Sequence, residues 1–384
     1  MDFEPSEEHR LIRDTARRIA ADRLAPLAGT LDDGGGRAPF LENLKVLAES
    51  GFMGLNVSGH YGGSEAGSVG FALALEEIAR GCASTAVTTS VTNMVAEIVE
   101  VCGTEEHRAA YLPKICDGTY PAAGFCLTEA GAGSDPAGMR TSARIDGNEW
   151  VLNGSKLYIT SAEYAGLFVV WAVTDPDAPK GKGITCFLVE ADAEGLIVGP
   201  AEKKMGQTGS ATNPVTFENC RIPASAVLGD VNGGFRIAVG ELAGGRIGIA
   251  ATALGIARGA MDLAIRYVQE REQFGRKIAD NQGIQWMIAD RETELEAARL
   301  LILRAATLKA AGEPYAREAS MAKLYASEAA QRATYTALQL HGGAGYIRET
   351  GLERLARDAR ITTIYEGTSE IQRLIIARET LRSA

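Results

Sequence analysis

Apolar residues recur at helical spacing through the first part of the chain. Ser6 precedes this pattern as a candidate N-cap, with Glu7 and Glu8 in the first turn, where carboxylates favour the helix dipole. The apolar positions that share one face are Leu11, Ile12, Ala16 and Ile19. Pro26 is expected to end this run, and helical patterns resume over 71–78 and 91–101. The pattern therefore predicts a helical N-terminal domain over residues 1–120.

The pattern changes near residue 121 to short apolar runs bounded by Gly, Pro, Asp or Asn. Asn153-Gly154 separates the runs 150–152 and 156–160, and both of its residues tolerate the positive φ of a type I′ turn, so a hairpin is predicted there. The other predicted strands are 167–173, 184–189 and 215–217. Short strands at this spacing indicate a small β-barrel or sandwich over residues 121–232.

Helical spacing returns from residue 233 to the end of the chain. One face of the stretch after residue 288 carries Ile288, Leu295, Ala298, Ile302 and Ala305. Long amphipathic helices packed side by side indicate a four-helix bundle over residues 233–384. The predicted architecture is mainly α with a central β domain: a helical domain, a β-barrel or sandwich, then a helical bundle.

Composition narrows the function classes. The chain has 384 residues, a formal net charge of −10 and a pI near 5.2, without the clustered Lys and Arg that nucleic-acid binding requires. The six cysteines are scattered and form no C-x-x-C pair, so we expect neither disulfides nor a metal site. No secretory signal and no membrane-spanning run is recognised. A bacterial cytoplasmic protein is expected, or a processed mitochondrial matrix form.

Two segments have side chains suited to a flat or phosphorylated ligand. Residues 125–134 combine Gly131 and Gly133, whose amides allow close approach, with hydroxyls at Thr128 and Ser134. In the strand 156–160, alternation puts an aromatic ring and a hydroxyl on one face. Taken alone, the first segment is as well explained by a plain turn, and the second by a half-buried strand.

Glu366 is the candidate general base. It follows an apolar run and precedes Gly367, which predicts a helix–loop junction. Apolar surroundings raise the pKa of a carboxylate and make it a competent base near neutral pH. An isolated Glu is more often a solvated surface residue, so the assignment depends on the surrounding motif.

Five ordered motifs resemble the acyl-CoA dehydrogenase family, with short-chain, butyryl-type members the most similar. They are CLTEAGAGSD at 126–135, YIT at 158–160, REQFG at 271–275, QLHGGAGY at 339–346 and YEGTSEIQR at 365–373. The resemblance covers essentially the whole chain. It implies bound FAD, a homotetramer built as a dimer of dimers, and an electron-transferring flavoprotein as electron acceptor.

The resemblance also implies roles for individual residues. The residues expected to contact FAD within one subunit are Phe125, Leu127, Thr128, Gly133, Ser134, Tyr158, Thr160, Thr368 and Glu370. Those expected to reach the FAD of a neighbouring subunit are Arg271, Phe274, Gln282, Gln339, Gly342 and Gly343. Ser134, Arg246 and Gly367 are expected to contact the substrate, with Arg246 beside it or orienting the base.

The implied reaction is α,β-dehydrogenation of an acyl-CoA to the trans-2-enoyl-CoA in fatty acid β-oxidation. Glu366 would remove the α-proton while flavin N5 accepts the β-hydride. Some family members place the base just before the arginine that corresponds to Arg246, but Gly245 stands there in this chain. Tyr158 replaces a common Trp and Ala243 replaces a common Asp. Glu241 is out of register with the alternative base and is interpreted as structural.

Alternative functions remain on the same scaffold. An acyl-CoA oxidase would keep the base, a flavin monooxygenase would generally lack it, and a non-catalytic binding protein would lose the base or the flavin loop. The wording around RIGIA at 246–250 and YEGTSEIQR resembles short-chain, butyryl-type members and favours acyl chains of about C4 to C8. A few side chains at the pocket floor set chain length, and one methylene changes binding by only ~1–3 kcal/mol. Branched, aromatic, glutaryl-type or carrier-protein-bound acyl groups stay open.

Overall fold

The computed structural model describes residues 5–382 as helices at both ends and a sheet between them. The α-helices are α1 Glu7–Ile19, α2 Ala25–Asp32, α3 Arg37–Glu49, α4 Gly67–Gly81, α5 Ala83–Cys102, α6 Glu105–Cys116, α7 Gly234–Glu270, α8 Gln282–Ala310, α9 Ala316–His341, α10 Gly343–Tyr346, α11 Leu352–Arg360 and α12 Ser369–Arg382. The strands are β1 Ala122–Cys126, β2 Ser142–Asp146, β3 Glu149–Thr160, β4 Ala165–Val173, β5 Ile184–Glu190, β6 Leu196–Val198, β7 Thr212–Pro223, β8 Val227–Leu228, β9 Glu272–Gln273 and β10 Arg276–Lys277. This order confirms the predicted helical, β, helical architecture.

The first helix begins as predicted but does not stop at Pro26. The Ser6 hydroxyl accepts a hydrogen bond from the His9 amide at 3.2 Å and caps α1. A π-helical turn at Ala20–Leu24 then joins α1 directly to α2. Pro26 lies in the first turn of α2, where its missing N–H would have no intrahelical partner in any case. The predicted break at Pro26 is therefore wrong.

Strands β1 to β8 form one mixed sheet. Along it the order is β6-β7-β3-β2-β4-β5-β8, and β1 pairs with β4 in parallel. Alternate residues of β4 face opposite sides: Trp171 packs in the cluster against α5 and α6, while Phe168 packs towards β3 and β7. Burial on both faces explains why β4 has an uninterrupted apolar sequence.

The hairpin predicted at Asn153-Gly154 is wrong. Both residues lie inside the continuous strand β3, where the pairing with β7 shifts register between Leu152 and Gly154. Gly154 has φ +146°, and a Cβ there would lie 2.6–2.8 Å from atoms of Thr141. The positive φ of Gly154 therefore belongs to a β-bulge. The hairpin turn lies earlier in the chain, between β2 and β3, at Gly147.

Helix α7 is the central helix of the C-terminal domain. It packs against α8 and α9 and, on another side, against α4 and α5 of the N-terminal domain. It is the one helix of residues 5–382 that is long and apolar enough to cross a membrane, and 72% of its most apolar window is buried inside the protein. Its apolar sequence therefore belongs to a core helix in contact with both helical domains.

Candidate active site

Glu366 lies in a tight turn between α11 and α12. A short 3₁₀ turn at 361–363 precedes it, and the φ angles of Glu366 and Gly367 are +53° and +87°. A positive φ is costly for glutamate and persists only where neighbouring groups hold it. The Gln372 amide donates to the carbonyls of Glu366 at 3.0 Å and Gly367 at 2.9 Å. The buried Lys323 ammonium donates to the Gly367 carbonyl at 2.6 Å.

Glu366 is half-buried, and one oxygen of its carboxyl group is enclosed and unbonded. Its Oε2 has no contact with solvent and no hydrogen-bond partner. A Cβ on Gly245 of α7 would lie 3.0 Å from that oxygen and 2.6 Å from Sδ of Met94. Burial raises the pKa of Glu366 to about 7, although the positive charges of Arg246 and Lys323 act in the opposite direction. The group is therefore ready to accept a proton near neutral pH.

Arg246 and Lys323 supply positive charge around this carboxylate without forming an ion pair with it. Arg246 is 7% exposed, contacts the Ser320 hydroxyl at 3.5 Å, and leaves its Nε without a partner. Burial lowers the pKa of Lys323 to about 8, while Glu366 acts to raise it. The expectation that Arg246 lies beside the substrate or orients Glu366 stays a prediction; within this chain its guanidinium donates to Ser320.

A cavity of about 400 Å³ lies beside the base turn. Tyr158 and Thr160 line it together, on one side of β3, as alternation predicts. Tyr158 has φ +59°, and the pairing of β3 with β7 shifts register again before Ile159, so the strand is bulged here too. Tyr365, the residue before the base, also lines the cavity, so the cavity adjoins the base turn.

The remaining cavity wall mixes apolar and polar residues, among them four basic side chains and the acidic Glu202. It includes Lys203 and Lys204 in the loop before β7, and Arg357 and Arg360 of α11. Burial lowers the pKa of Lys204 to about 8. In the same loop, Gln207 donates its side-chain amide to the Tyr365 hydroxyl at 3.2 Å, which ties the loop to the base turn. The excess of cations in this wall favours a ligand that carries negative charge.

The loop at 125–134 is anchored next to Tyr158. The Leu157 amide donates to the Thr128 carbonyl at 2.9 Å. Glu129 accepts hydrogen bonds from the Arg140 and Thr141 amides and from the fully buried Lys156 ammonium, at 2.6, 3.0 and 2.8 Å. Although burial disfavours its charged form, Lys156 and these hydrogen bonds hold the pKa of Glu129 below its ordinary value. These contacts fix the position of the loop relative to β3.

The predicted loop residues divide into buried and exposed groups. Phe125 is half-buried and packs on Trp171 with ring centroids 4.5 Å apart, whereas Leu127 is in the core and offers a ligand only its backbone. Gly131, Gly133 and Ser134 are exposed at the loop tip. A Cβ on either glycine would meet no atom within 4 Å, so neither position is restricted by packing within the subunit.

The six residues expected to reach a neighbouring subunit are exposed at one end of the C-terminal domain. Phe274 is fully exposed, and with Gly275 it forms the two positive-φ positions of the β9–β10 turn. Gln282 begins α8, and Gln339, Gly342 and Gly343 mark the end of α9. The stacked rings of Tyr267 and His341, with centroids 4.2 Å apart, join the ends of α7 and α9. None of the six lines the cavity beside Tyr158.

Thr368 and Glu370 open the last helix. The Thr368 hydroxyl accepts from the Ile371 amide at 3.4 Å and caps α12. Glu370 is exposed in the first turn of that helix. Both lie directly after the base turn in the chain.

Several charged residues of the site were missed by sequence reasoning. Lys323, Lys156 and Lys204 are buried cations, yet in the sequence they resemble ordinary helix, strand and loop lysines. The adjacent pair Lys203-Lys204 before Met-Gly was the one local signal of a basic cavity wall. Glu97, Glu241 and Lys309 form a further cluster near the base, contributed by three different helices.

Comparison with known proteins matches every part of this architecture to one family. The acyl-CoA dehydrogenase N-terminal, middle and C-terminal domain families match residues 6–119, 124–220 and 232–381. The short/branched chain specific acyl-CoA dehydrogenase of Rattus norvegicus is 44% identical over 97% of this chain and 85% of that protein. Butyryl-CoA dehydrogenase from Megasphaera elsdenii superposes with a TM-score of 0.95 at 36% identity, covering both chains completely. A chain from structural work on the electron transferring flavoprotein of Acidaminococcus fermentans superposes with a TM-score of 0.96 at 40% identity. The superposition covers both chains completely.

Proposed function

Because the chain belongs to the acyl-CoA dehydrogenase family of oxidoreductases, we propose that it dehydrogenates an acyl-CoA between Cα and Cβ with Glu366 as the base. The observation that carries this proposal is the Glu366 carboxyl group, with its enclosed and unpartnered Oε2 and a pKa of about 7 beside the cavity. Sites that transfer protons at neutral pH have this combination of burial and shifted pKa.

The proposed chemistry assigns each group of the turn a task. A thioester α-proton is weakly acidic, so its removal needs a base held at the α-carbon in the correct orientation. Gln372 and Lys323 hold the backbone of Glu366 and Gly367, so the carboxylate need not reorganise during the reaction. The charges of Arg246 and Lys323 keep part of the base ionised before substrate binds.

The residues present fit FAD, the cofactor of this family. The cavity has room for a flat ring between Tyr158, Thr160 and Tyr365, and its wall has an excess of cations. We assign the ring to this cavity and the phosphates to the amides and hydroxyls of Thr128, Gly133 and Ser134. Thr368 and Glu370 would hold the far end. When bound, FAD supplies the acceptor for the hydride that leaves Cβ.

The exposed ends of α7, α8 and α9 support a shared cofactor site. Phe274 projects fully into solvent from a two-residue turn, so its whole ring is available to a neighbouring subunit. We propose that the hairpin of Arg271 and Phe274, with Gln282 and the Gln339–Gly343 segment, completes the FAD site of a second subunit within a homotetramer. An electron-transferring flavoprotein then accepts the electrons, in a bacterial cytoplasm or a mitochondrial matrix.

Close packing of α5 on α7 supports a short acyl chain. A Cβ on Gly248 would lie 2.5 Å from the Ser90 hydroxyl and 3.2 Å from the Phe71 ring, one turn beyond Gly245. Met94 fills the space against Gly245 itself. Little room remains past the base, so we propose acyl chains of about C4 to C8 with the short end preferred.

Anaerobic absorbance titration of the FAD-loaded protein with butyryl-CoA and octanoyl-CoA tests this function. We expect the flavin band to bleach with both, faster with butyryl-CoA, and the 2-enoyl-CoA to form in equal amount. Bound flavin that neither substrate bleaches would overturn the acyl-CoA assignment and direct attention to branched, aromatic or carrier-bound thioesters. Protein that takes up no FAD would refute the cofactor assignment.

A further inference from the structure

Glu241 is half-buried near the base, one of its carboxyl oxygens is enclosed, and the proposed chemistry does not use it. Its Oε1 has no contact with solvent and no hydrogen-bond partner. A buried oxygen without a partner costs free energy that the fold does not recover, and such atoms in native proteins are often satisfied by a ligand. Arg246 Nε and Glu366 Oε2 are unpartnered in the same region, which places three such atoms around one stretch of α7.

Glu241 lies one helical turn from the base along α7. Glu241 and Gly245 are four residues apart and share a helix face, and Gly245 abuts the Glu366 carboxyl group. Four residues of α-helix rise roughly 6 Å. Between them, a Cβ on Gly244 would lie 2.6 Å from Lys309 Nζ and 3.7 Å from Glu241 Oε1. The side chains of Glu241, Lys309 and Glu366 therefore lie in sequence along the surface of α7 at Gly244 and Gly245, where the helix has no side chains.

Burial along α7 shows which end of this surface is open. Val239 is 47% exposed and Gly240 is exposed, whereas the helix is buried continuously from Ala243 to Ala257. Beyond the base, Gly248 is closed off by Ser90 and Phe71. A thioester that reaches Glu366 therefore has its acyl group towards Gly248 and its thiol arm towards Glu241.

The groups around Glu241 favour the neutral form of its carboxyl group. Lys309 Nζ contacts Glu97 Oε1 at 2.5 Å, and Asn56 donates to Glu97 Oε2 at 3.0 Å, so the Lys309 charge is already compensated. Tyr315 and Arg246 also face the cluster. Burial and then the Glu97 carboxylate raise the pKa of Glu241 well above its ordinary value, against the influence of Lys309. A neutral carboxyl group both donates and accepts, which matches an amide.

We propose that Glu241 binds the first amide of the thiol arm of the substrate, the one closest to the thioester sulfur. The proposal rests on the proposed function, because it needs a thioester α-carbon at Glu366. From that α-carbon to the amide nitrogen, five single bonds of about 1.5 Å span roughly 6–7 Å when extended. This span matches the single helical turn between Gly245 and Glu241. Glu241 is thus a specificity-determining residue for pantetheine-type thioesters.

Two thioesters that differ only in this amide provide the test. We would measure flavin bleaching rates and calorimetric affinities with the butyryl thioesters of N-acetylcysteamine and of pentanethiol, which replaces the amide by methylenes. We expect the wild type to prefer the amide compound by roughly three- to tenfold in kcat/KM, the range of one hydrogen bond. Glu241→Leu should abolish that preference and leave the pentanethiol compound unaffected, whereas Glu241→Gln should keep most of it.

Three results would overturn the proposal: a wild type without preference, a Leu variant that keeps it, or a Leu variant that slows both compounds equally. The exposed Glu218→Leu on β7 is the control and should leave the ratio unchanged. If Glu241→Leu fails to fold, the proposal is tested by the ratio of kcat/KM for the two thioesters in the wild type and in Glu241→Gln. Oxidation of butyryl-CoA by the wild type shows separately that the proposed function holds.

Discussion

At the residue scale, one strained turn holds the carboxyl group of the proposed base in place. Glu366 and Gly367 both have positive φ, and only two buried donors, Gln372 and Lys323, hold their carbonyls. The same enclosure that strains the backbone also removes water from the carboxylate, which raises its pKa. The position of the Glu366 carboxylate and its raised pKa therefore both depend on the packing around this turn.

The pKa of Glu366 predicts the pH dependence of the reaction. The base acts in its ionised form, which predominates above its pKa of about 7 and is lost as the pH falls below it. Flavin bleaching by butyryl-CoA should therefore reach a plateau near pH 8 and fall to about a tenth of that plateau at pH 6. Stopped-flow rates between pH 5.5 and 9 measure this. A rate that is level from pH 6 to 8 would contradict the assignment.

Shortening the base separates its position from its charge. Glu366→Asp keeps a carboxylate but withdraws it by one methylene, so we expect turnover to fall by about 100-fold or more, as for misplacement by 1 Å. Binding of butyryl-CoA, measured by calorimetry, should change little. If affinity fell and turnover did not, the side chain would be a binding group and not the base.

Lys323 is predicted to control the acidity of the base. Lys323→Met removes a positive charge that favours the ionised form of Glu366, so its pKa rises and the pH profile moves to higher pH by about one unit. Lys323→Arg keeps the charge and should restore much of the original profile. A lower rate with an unshifted profile in Lys323→Met would indicate that the lysine serves only to hold the Gly367 carbonyl.

At the element scale, β3 shows where sequence reasoning succeeds and where it fails. The alternation that put Tyr158 and Thr160 on one face is local, and the structure places both in one cavity. The choice between hairpin and bulge at Asn153-Gly154 is not local, because either uses a residue with positive φ. Contact with Thr141 decides it, and that contact exists only in the folded sheet.

Gly154 is predicted to be required by this close contact. A methyl group in Gly154→Ala would lie within 2.8 Å of Thr141 backbone and side chain, so we expect a loss of about 1–3 kcal/mol in the free energy of unfolding. Gly147→Asn is the control: its φ of +64° suits asparagine, and nothing lies within 4 Å. Denaturant unfolding of both variants measures the difference. Equal stability would mean that the bulge adapts.

The site shows the same division between local and distant information. Glu366 was predicted because the motif around it is contiguous in sequence, and Thr368 and Glu370 followed from the same run. Lys323 and Lys309 were missed because each lies on a different helix from the groups it faces. A lysine in an amphipathic helix has no local feature that distinguishes a buried ammonium from a solvated one.

At the scale of the whole molecule, the exposed end of the C-terminal domain predicts an assembly that completes the cofactor site. Phe274→Ala should lower FAD occupancy of the purified protein, measured by the ratio of flavin to protein absorbance, because a neighbouring subunit loses one contact. Val101→Ala, which trims a side chain 70% exposed in the N-terminal domain, is the control and should retain FAD. Full occupancy in Phe274→Ala would place the hairpin outside the cofactor site.

The most direct test of the central claim is the rate of flavin bleaching by butyryl-CoA in Glu366→Gln. The variant keeps the size of the side chain and removes the carboxylate that accepts the proton. With FAD still bound and butyryl-CoA still binding, we predict bleaching at least about 1,000-fold slower than in the wild type, while Glu218→Gln reacts normally. Bleaching near the wild-type rate in Glu366→Gln would show that another group removes the α-proton.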